Sequence, residues 1–110
     1  MNLVYKDNYI PVTKTNNKNI LKYHFQKIYY AIIIEECNRY SSIANKQRID
    51  IVMTDDNLKI LSIKKDMHEN TFYENKDATT TIILPPNYFQ DLEKGKCFTL
   101  KDNKELLTKN

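Results

Sequence analysis

Ile28-Tyr29-Tyr30-Ala31-Ile32-Ile33-Ile34 is the longest apolar run in this chain of 110 residues, and its conformation decides the fold. With its flanking residues it forms a pattern in which apolar side chains recur every three or four positions, as on one face of a helix. The members of this pattern are Leu21, Phe25, Ile28, Tyr29, Ile32, Ile33, Cys37 and Tyr40. Asparagines at positions 16, 17 and 19 supply N-cap side chains. We therefore predict one long amphipathic helix that ends near Tyr40.

A β-strand is the competing interpretation of this run. Isoleucine and tyrosine favour extended structure, and the central seven residues contain almost nothing else. Length favours the helix, because the apolar pattern holds over about five turns and no glycine or proline interrupts it.

The rest of the chain predicts strands and turns. Residues 2–13 predict a hairpin whose second arm contains Pro11 and should lie at a sheet edge. Residues 48–63 predict a second hairpin, because apolar residues alternate with others on both sides of a polar turn. Residues 64–78 predict an exposed loop or a weak edge strand around Thr71-Phe72-Tyr73. Residues 79–84 predict a strand that ends at two prolines, 87–92 one helical turn, and 96–100 a last strand.

These elements predict an α+β fold in the order ββ-α-ββ-β-β. We expect one long amphipathic helix packed on an antiparallel sheet of about four to six strands. Residues 1–105 should form a single domain, and residues 106–110 should fray as a C-terminal tail. In an edge position, the Pro11 arm or the strand at 79–84 could extend the sheet across a homodimer.

Composition and motifs point away from catalysis. The one glycine, Gly95, cannot build a phosphate-binding loop. The two histidines, His24 and His68, and the two cysteines, Cys37 and Cys97, have no spacing that assembles a metal site. We therefore predict no catalytic residue, no metal and no cofactor. Both cysteines should be small buried side chains in a reducing compartment, although the sequence leaves a disulfide between them open.

Two pairs of carboxylates are the remaining candidates for chemistry. On a helix, Glu35 and Glu36 would diverge by about 100°, so they should not converge on one substrate. Asp55 and Asp56 begin an oxygen-rich turn that lacks the glycine and glutamate of a calcium loop. A solvated hairpin turn is the better interpretation of the second pair.

A set of lysine, tyrosine and glutamine side chains on the other side of the predicted helix suggests a contact surface. Lysine attracts acids or phosphates, and tyrosine gives a large contact area at low entropic cost. We call this set the Lys/Tyr face, which consists of Lys18, Lys22, Tyr23, Gln26, Lys27 and Tyr30. Phe72 and Tyr73, in an otherwise polar segment, could provide a second anchor.

Charge and composition favour a binding function over an enzymatic one. The net charge is only +3, but residues 1–34 carry five lysines against Asp7 alone, and the basic residues include only two arginines. Few arginines argue against direct reading of bases. We therefore expect a small non-catalytic regulator or inhibitor that binds a larger macromolecular partner, a protein, through the Lys/Tyr face. Nucleic-acid binding through the same face is the first alternative, and an enzyme with an unrecognised site is the second.

The N-terminus, the length of the apolar run and the residue composition bear on where the protein is located and which genome encodes it. The N-terminus lacks the apolar core of a signal peptide, and seven apolar residues are too few to span a membrane. We therefore expect a cytoplasmic protein without membrane contact. Abundant asparagine, lysine and isoleucine suggest an AT-rich genome, such as that of a low-GC bacterium, its phage or a mobile element.

Overall fold

The structure is a computed structural model that describes residues 1–104, and it is built mainly from β-strands. The strands are β1 (Asn2–Tyr5), β2 (Asn8–Thr15), β3 (Ala31–Glu35), β4 (Arg39–Ser41), β5 (Ile49–Thr54), β6 (Ile60–Met67), β7 (Phe72–Glu74), β8 (Thr80–Leu84) and β9 (Thr99–Lys101). A 3₁₀ helix spans Ile20–Phe25. Within residues 1–104 no helix reaches seven residues, so the predicted α+β fold with a long helix is wrong.

Seven strands form one mixed sheet in the order β6-β5-β8-β3-β2-β1-β9. All neighbours are antiparallel except β2 and β3, which are parallel. The segment before β9 turns back to the start of β6, where Lys59 and Cys97 form an antiparallel bridge. The backbone N–H of Ile60 donates to the carbonyl of Lys96 at 2.8 Å, and that of Phe98 to Leu58 at 3.0 Å. The two edges of the sheet are therefore joined at one point, and the sheet forms a partly closed barrel.

Residues 31–34 of the long apolar run lie in β3, and they form a strand because both faces of this strand are buried. Ala31 and Ile33 face the barrel interior, whereas Ile32 and Ile34 face a second apolar layer outside it. All four side chains are at most 2% exposed. A strand covered on both faces needs an apolar residue at every position, and this requirement produced the continuous run that also fits a helical pattern.

The second apolar layer lies between the outer face of β3, β5 and β8 and a covering layer. A cover segment (residues 16–30, including the 3₁₀ helix) packs there through the half-buried Ile20, Tyr23 and Tyr30. The two-stranded sheet of β4 and β7 packs beside it through Tyr40 and Tyr73. The residues assigned to the predicted helix thus form a covering loop and a central strand.

The first predicted hairpin is confirmed, but its second arm is not at a sheet edge. β2 lies between β1 and β3. The N–H of Val12 donates to Met1 on the β1 side, so the nitrogen of Pro11 points toward β3. Pairing with β3 begins only at Val12. Pro11 therefore occupies an interior strand without removing a hydrogen bond from the ladder.

The second hairpin is confirmed as β5 and β6, and the strand at 79–84 is confirmed as β8. β8 is hydrogen-bonded on both sides, to β3 and β5, so it cannot extend the sheet across a dimer. The segment predicted as a loop or a weak edge strand continues β6 to Met67, and β7 lies where the weak strand was predicted. Residues 87–92 form turns instead of a helical turn. The predicted tail, residues 106–110, lies outside the described residues.

Candidate binding sites on the cover segment and at the barrel mouth

Part of the Lys/Tyr face is present in the structure: Lys22 and Tyr23 lie on a 3₁₀ helix instead of an α-helix. The ammonium of Lys22 lies 5.2 Å from the centre of the Tyr23 ring, within range of a cation–π interaction. Tyr23 in turn packs edge-to-face on Tyr30, with ring centres 6.4 Å apart. Burial, and secondarily the neighbouring Tyr23, raises the pKa of Tyr30. The two tyrosines and the adjoining part of β2 line a shallow depression of about 380 Å³.

Gln26 and Lys27 lie on a separate part of the cover segment. They line a cavity of about 470 Å³ together with His24, Phe25, Ala44, Lys46, Gln47 and Glu69. The side chain of Gln47 fixes this part of the chain, because it accepts from the N–H of Ile28 at 2.9 Å and donates to the carbonyl of Gln26 at 2.8 Å. The predicted face is therefore divided into two neighbouring areas.

His24 attaches the cover segment to the rest of the protein. Its ring is 5% exposed, with Nδ1 2.7 Å from the carbonyl of Ile43 and Nε2 2.7 Å from the hydroxyl of Tyr40. A carbonyl only accepts, so Nδ1 carries the proton, and Tyr40 donates to Nε2. Burial raises the pKa of Tyr40 to about 12. His24 has a structural role, and its partners are a carbonyl and a phenol.

Exposed aromatic side chains appear where the predicted helix should have been buried. Phe25 is 71% exposed and Tyr29 is 73% exposed, although both belong to the apolar pattern. Leu21 and Ile43 nearby are also exposed. The ammonium of Lys27 lies 5.5 Å from the centre of the Tyr29 ring. This part of the surface combines apolar side chains with positive charge, a combination that the helical interpretation had separated onto two faces.

The lysines of the Lys/Tyr face have no acidic partners in the part of the chain that the structure describes. Within residues 1–104, none of Lys18, Lys22 and Lys27 forms an ion pair, whereas Lys6, Arg48 and Lys65 each do. No acidic residue occurs between Asp7 and Glu35 in the sequence. The positive charge of the cover segment is therefore directed toward solvent and toward any approaching partner.

The two residues of the predicted second anchor, Phe72 and Tyr73, point to opposite faces of β7, because side chains alternate along a strand. Tyr73 packs inward beside Tyr40, where it is half-buried. Phe72 points outward, is 61% exposed, and lies under the guanidinium of Arg39 at 5.2 Å. Only Phe72 is available for contact.

One end of the barrel is plugged. Phe89 enters from the turn after β8 and packs against Tyr5 and Phe98, with ring centres 5.7 and 5.8 Å away. The carboxylate of Asp50 holds this plug: it accepts from the N–H of Asn87 and of Asp66 at 2.9 Å and pairs with Lys65 at 2.8 Å. Asp50 is only 1% exposed.

The opposite end of the barrel opens into a cavity of about 700 Å³, which we call the barrel mouth. Its apolar floor belongs to the barrel core and consists of Ile33, Leu58 and Leu100. Its polar lining comes from four separate parts of the chain and consists of Lys14, Glu35, Glu36, Asn38, Asp56, Thr79 and Thr80. Mouths of β-barrels are common places for ligands.

The expectation that Glu35 and Glu36 lie on a helix is wrong, because Glu35 belongs to a strand and Glu36 to a turn. Glu35 ends β3 and Glu36 begins the following turn with a φ of 53°, and both line the mouth. Asp55 forms the hairpin turn as predicted, accepting from the N–H groups of Asn57 and Lys59. Its neighbour Asp56 lines the mouth instead. The carboxylates are evident in the sequence, but only the pairing of strands places them around one cavity.

Thr79 lines the mouth and has an unusual side-chain hydroxyl. Its Oγ1 is buried and is the one such side-chain oxygen or nitrogen within residues 1–104 that has no hydrogen-bond partner. The Thr79 backbone is fixed, because its N–H donates to Thr54 and its carbonyl accepts from Cys37, both at 2.9 Å. Most buried polar groups in proteins are paired, so this hydroxyl calls for an explanation.

The cysteines differ from each other. Cys37 is buried as expected, with its thiol 3.2 Å from the carbonyl of Arg39, whereas Cys97 is exposed. Both thiols are free. Within residues 1–104 no three His, Cys, Asp or Glu side chains converge closely enough to hold a metal ion. In the same range no helix is long and apolar enough to cross a membrane.

The fold, a partly closed mixed barrel with one covered outer face, is also seen in a solved structure. A protein of unknown function from Novosphingobium aromaticivorans DSM 12444 superposes with a TM-score of 0.70, covering 90% of this chain and 82% of that chain. Sequence identity is 5%, so the likeness concerns the fold alone. No protein-family model and no curated protein matches the sequence.

Proposed function

We propose that this protein is a small non-catalytic interaction protein, a regulator or inhibitor, that binds an acidic protein partner through the cover segment. One observation carries the proposal. Lysines that form no ion pair within residues 1–104 lie directly beside exposed aromatic side chains on this segment, as Lys27 does beside Tyr29. Exposed apolar groups rimmed by charge are typical of protein–protein interfaces, and the unbalanced positive charge specifies an acidic partner.

The aromatic side chains and the lysines have different tasks in this proposal. Phe25 and Tyr29 would enter pockets on the partner and slow dissociation, because buried aromatic anchors supply most interface energy. Lys22 and Lys27 would mainly accelerate the encounter, since long-range attraction acts before contact. Tyr23 and Tyr30 form the half-buried base on which these side chains rest.

A protein partner suits this surface better than a nucleic acid does. Single-stranded nucleic acids need open aromatic faces on which bases stack. Here the ammonium groups of Lys22 and Lys27 already lie over the rings of Tyr23 and Tyr29. Only two arginines, Arg39 and Arg48, are available to read bases.

We also propose that the protein works in the cytoplasm. The support is the pair of free thiols, one of them exposed, because such thiols persist in a reducing compartment. A regulator encoded by a phage or mobile element remains consistent with the residue composition.

Site-specific crosslinking tests where the partner binds. We would replace Tyr29 with a photo-crosslinking phenylalanine derivative and, as a control, make the same change at Tyr9, which is 52% exposed but lies on β2. We expect an adduct with an acidic protein at position 29 and none at position 9. Adducts with nucleic acid, or with a second copy of this chain, would contradict the proposal and identify the alternative.

Binding kinetics with the crosslinked partner, once purified, test the division of tasks. We expect Tyr29→Ala to raise the dissociation rate about tenfold, because an aromatic anchor is lost. Lys22→Glu should instead lower the association rate and weaken its dependence on salt. Lys94→Glu, an exposed lysine outside the cover segment, is the matched control. Equal effects of Tyr29→Ala and Lys22→Glu on the dissociation rate would reject this mechanism.

A further inference from the structure

We propose that the shallow depression between Tyr23 and Tyr30 binds a proline-containing, acidic segment of the partner in the extended polyproline II conformation. The inference rests on the proposed function, because it names the kind of segment by which the acidic partner is recognised. The depression lies where the cover segment meets β2, and it is lined by Pro11, Val12, Thr13, Tyr23 and Tyr30. Its rings, its paired backbone, its free hydroxyl groups and the neighbouring charge all support this ligand.

The walls of the depression are rings held in fixed positions. The rings of Tyr23 and Tyr30 meet edge-to-face at 74°, with centres 6.4 Å apart, and both side chains pack on the second apolar layer. Pro11 adds an exposed pyrrolidine ring from β2. Proline-rich segments dock in grooves that are lined by aromatic rings. Because the walls are already ordered, docking costs them little conformational entropy.

The backbone beneath the depression excludes an added β-strand. β2 is paired with β1 on one side and with β3 on the other, so it has no free edge to which a peptide strand could be added. Pro11 has no N–H to donate. A peptide must therefore dock through its side chains and its carbonyl groups. A polyproline II segment meets this condition, because it has no internal hydrogen bonds and its prolines have no N–H that needs an acceptor.

The hydroxyl groups of Tyr23 and Tyr30 are free to donate to such a segment. Within residues 1–104 neither of them forms a hydrogen bond, whereas the hydroxyls of Tyr5, Tyr40 and Tyr88 each do. A phenol donates one hydrogen bond, and a peptide carbonyl accepts it. Two donors beside apolar rings therefore match a ligand that offers carbonyl groups and few donors of its own.

The charge beside the depression selects acidic residues next to the prolines. The ammonium of Lys22 lies 5.2 Å from the centre of the Tyr23 ring, which forms one wall. Lys22 forms no ion pair within residues 1–104, and no acidic residue occurs between Asp7 and Glu35 in the sequence. An aspartate or glutamate adjacent to the docked proline would therefore meet Lys22 without a competing carboxylate, whereas a basic segment would be repelled.

A peptide titration tests the site directly. We would follow backbone amide signals of the full chain by NMR while adding a capped nonapeptide in which single glutamates alternate with pairs of prolines. Matched peptides replace every proline by alanine or every glutamate by glutamine. We expect saturable shifts centred on Val12, Tyr23 and Tyr30, with a dissociation constant of about 0.1–1 mM. The alanine peptide should bind about tenfold more weakly, because it loses the ring contacts and the preformed conformation.

Three outcomes of this titration would overturn the inference. They are an absence of saturable shifts, shifts centred elsewhere, and equal affinity for the alanine peptide. Tighter binding of an oligothymidylate at the same residues would also overturn it, and would indicate that bases stack on the tyrosines.

Tyr23→Phe and Tyr30→Phe test the two hydroxyl groups. Each exchange keeps the ring and removes a hydroxyl that has no partner in the described part of the chain, so the melting temperature should not fall. Peptide affinity should fall about threefold to tenfold in each variant, because one hydrogen bond is lost. Tyr73→Phe is the matched control, since Tyr73 is also half-buried but lies on β7, outside the depression. Unchanged affinity in both variants, or an equal loss in Tyr73→Phe, would contradict the assignment.

Lys22→Gln tests the choice of acidic residues. It should weaken binding of the glutamate peptide about twofold to fivefold, the range expected for exposed charges. Binding of the glutamine peptide should not change, because that peptide offers no charge to Lys22. Lys76→Gln, at an exposed lysine in the turn before β8, is the matched control and should affect neither peptide. Equal weakening of both peptides by Lys22→Gln would reject the pairing of this lysine with an acidic residue.

Failure of this inference and failure of the proposed function give different results. Crosslinking at Tyr29 captures the partner whatever segment it presents, whereas the peptide titration requires no partner. An acidic protein crosslinked at Tyr29 together with no peptide binding would overturn the inference and leave the proposed function standing. Peptide binding at Tyr23 and Tyr30 without an adduct at Tyr29 would support the site and contradict the proposed function.

Discussion

Asp50 shows how one buried charge can fix a whole region of the chain. Its carboxylate accepts two backbone N–H groups from residues that are distant in sequence, Asp66 and Asn87, and it pairs with Lys65. Both N–H groups belong to residues with positive φ, 54° for Asp66 and 59° for Asn87. Such backbone conformations are unfavourable for these side chains unless the surroundings hold them, and Asp50 supplies that restraint.

Replacement of Asp50 should therefore be costly. We expect Asp50→Ala to lower the free energy of unfolding by about 3 kcal/mol, because two backbone N–H groups and Lys65 lose a buried charged acceptor. Asp50→Asn should cost less, since one carbonyl oxygen still accepts. Urea denaturation measures both.

The exposed ion pair between Arg48 and Asp66 serves as a comparison for the buried carboxylate of Asp50. Its side chains are 50% and 61% exposed, so Asp66→Asn should cost at most about 1 kcal/mol. Similar losses for Asp50→Ala and Asp66→Asn would show that Asp50 does not hold the plug.

Tyr40 predicts a dependence of stability on alkaline pH. Burial raises its pKa to about 12, above the usual value of 10.0, so the folded state keeps the proton that the unfolded state loses. The sign follows from linkage: this contribution is complete below pH 10 and is lost as the pH rises toward 12. We expect the wild-type protein to lose about 2–3 kcal/mol of stability over this interval from Tyr40 alone.

Tyr40→Phe isolates that contribution from the other tyrosines and the lysines. At neutral pH the variant should be less stable by about 1 kcal/mol, because His24 loses its donor. The stability curves of the variant and the wild type should converge above pH 10 and cross before pH 12, because the wild type loses about 2–3 kcal/mol that the variant does not lose. Parallel curves between pH 10 and 12 would contradict the burial of this phenol.

At the scale of elements, β3 determines the difference between the predicted and the observed fold. A helix buries one stripe of residues and exposes the next positions, whereas β3 buries consecutive residues on opposite sides. Because the predicted helix is replaced by a covering loop and a strand, Phe25 and Tyr29 lie on the surface instead of in the predicted core.

Alanine substitutions along this segment test the two-sided burial. We expect Ile32→Ala and Ile33→Ala each to lower the free energy of unfolding by about 2–5 kcal/mol, because each leaves a cavity in a different apolar layer. Tyr29→Ala, at a side chain that is 73% exposed, should change it by less than about 0.5 kcal/mol. A small effect of either isoleucine would show that one face of β3 is not packed.

At the scale of the whole molecule, the barrel has two unlike ends and one covered side. Asp50 and Phe89 close one end, while carboxylates and Thr79 surround the other. The cover segment adds a third, basic surface to the outer side of the sheet.

The sequence by itself determined the elements whose signals are local. Both hairpins and the strand before Pro85 were predictable, because alternation and turn residues act over a few positions. The lysines and tyrosines of the cover segment were also evident, since their concentration is a property of the chain alone.

Only the tertiary structure decided what covers the residues around Ile33 and which side chains meet at the barrel mouth. A continuous apolar run specifies burial without specifying whether one helix face or two strand faces are buried. Thr79 and Asp56 reach Glu36 through strand pairing over distances in sequence that no local pattern records. Long-range packing selected the strand because two apolar layers bury Ile32 and Ile33 together, which one face of a helix cannot do.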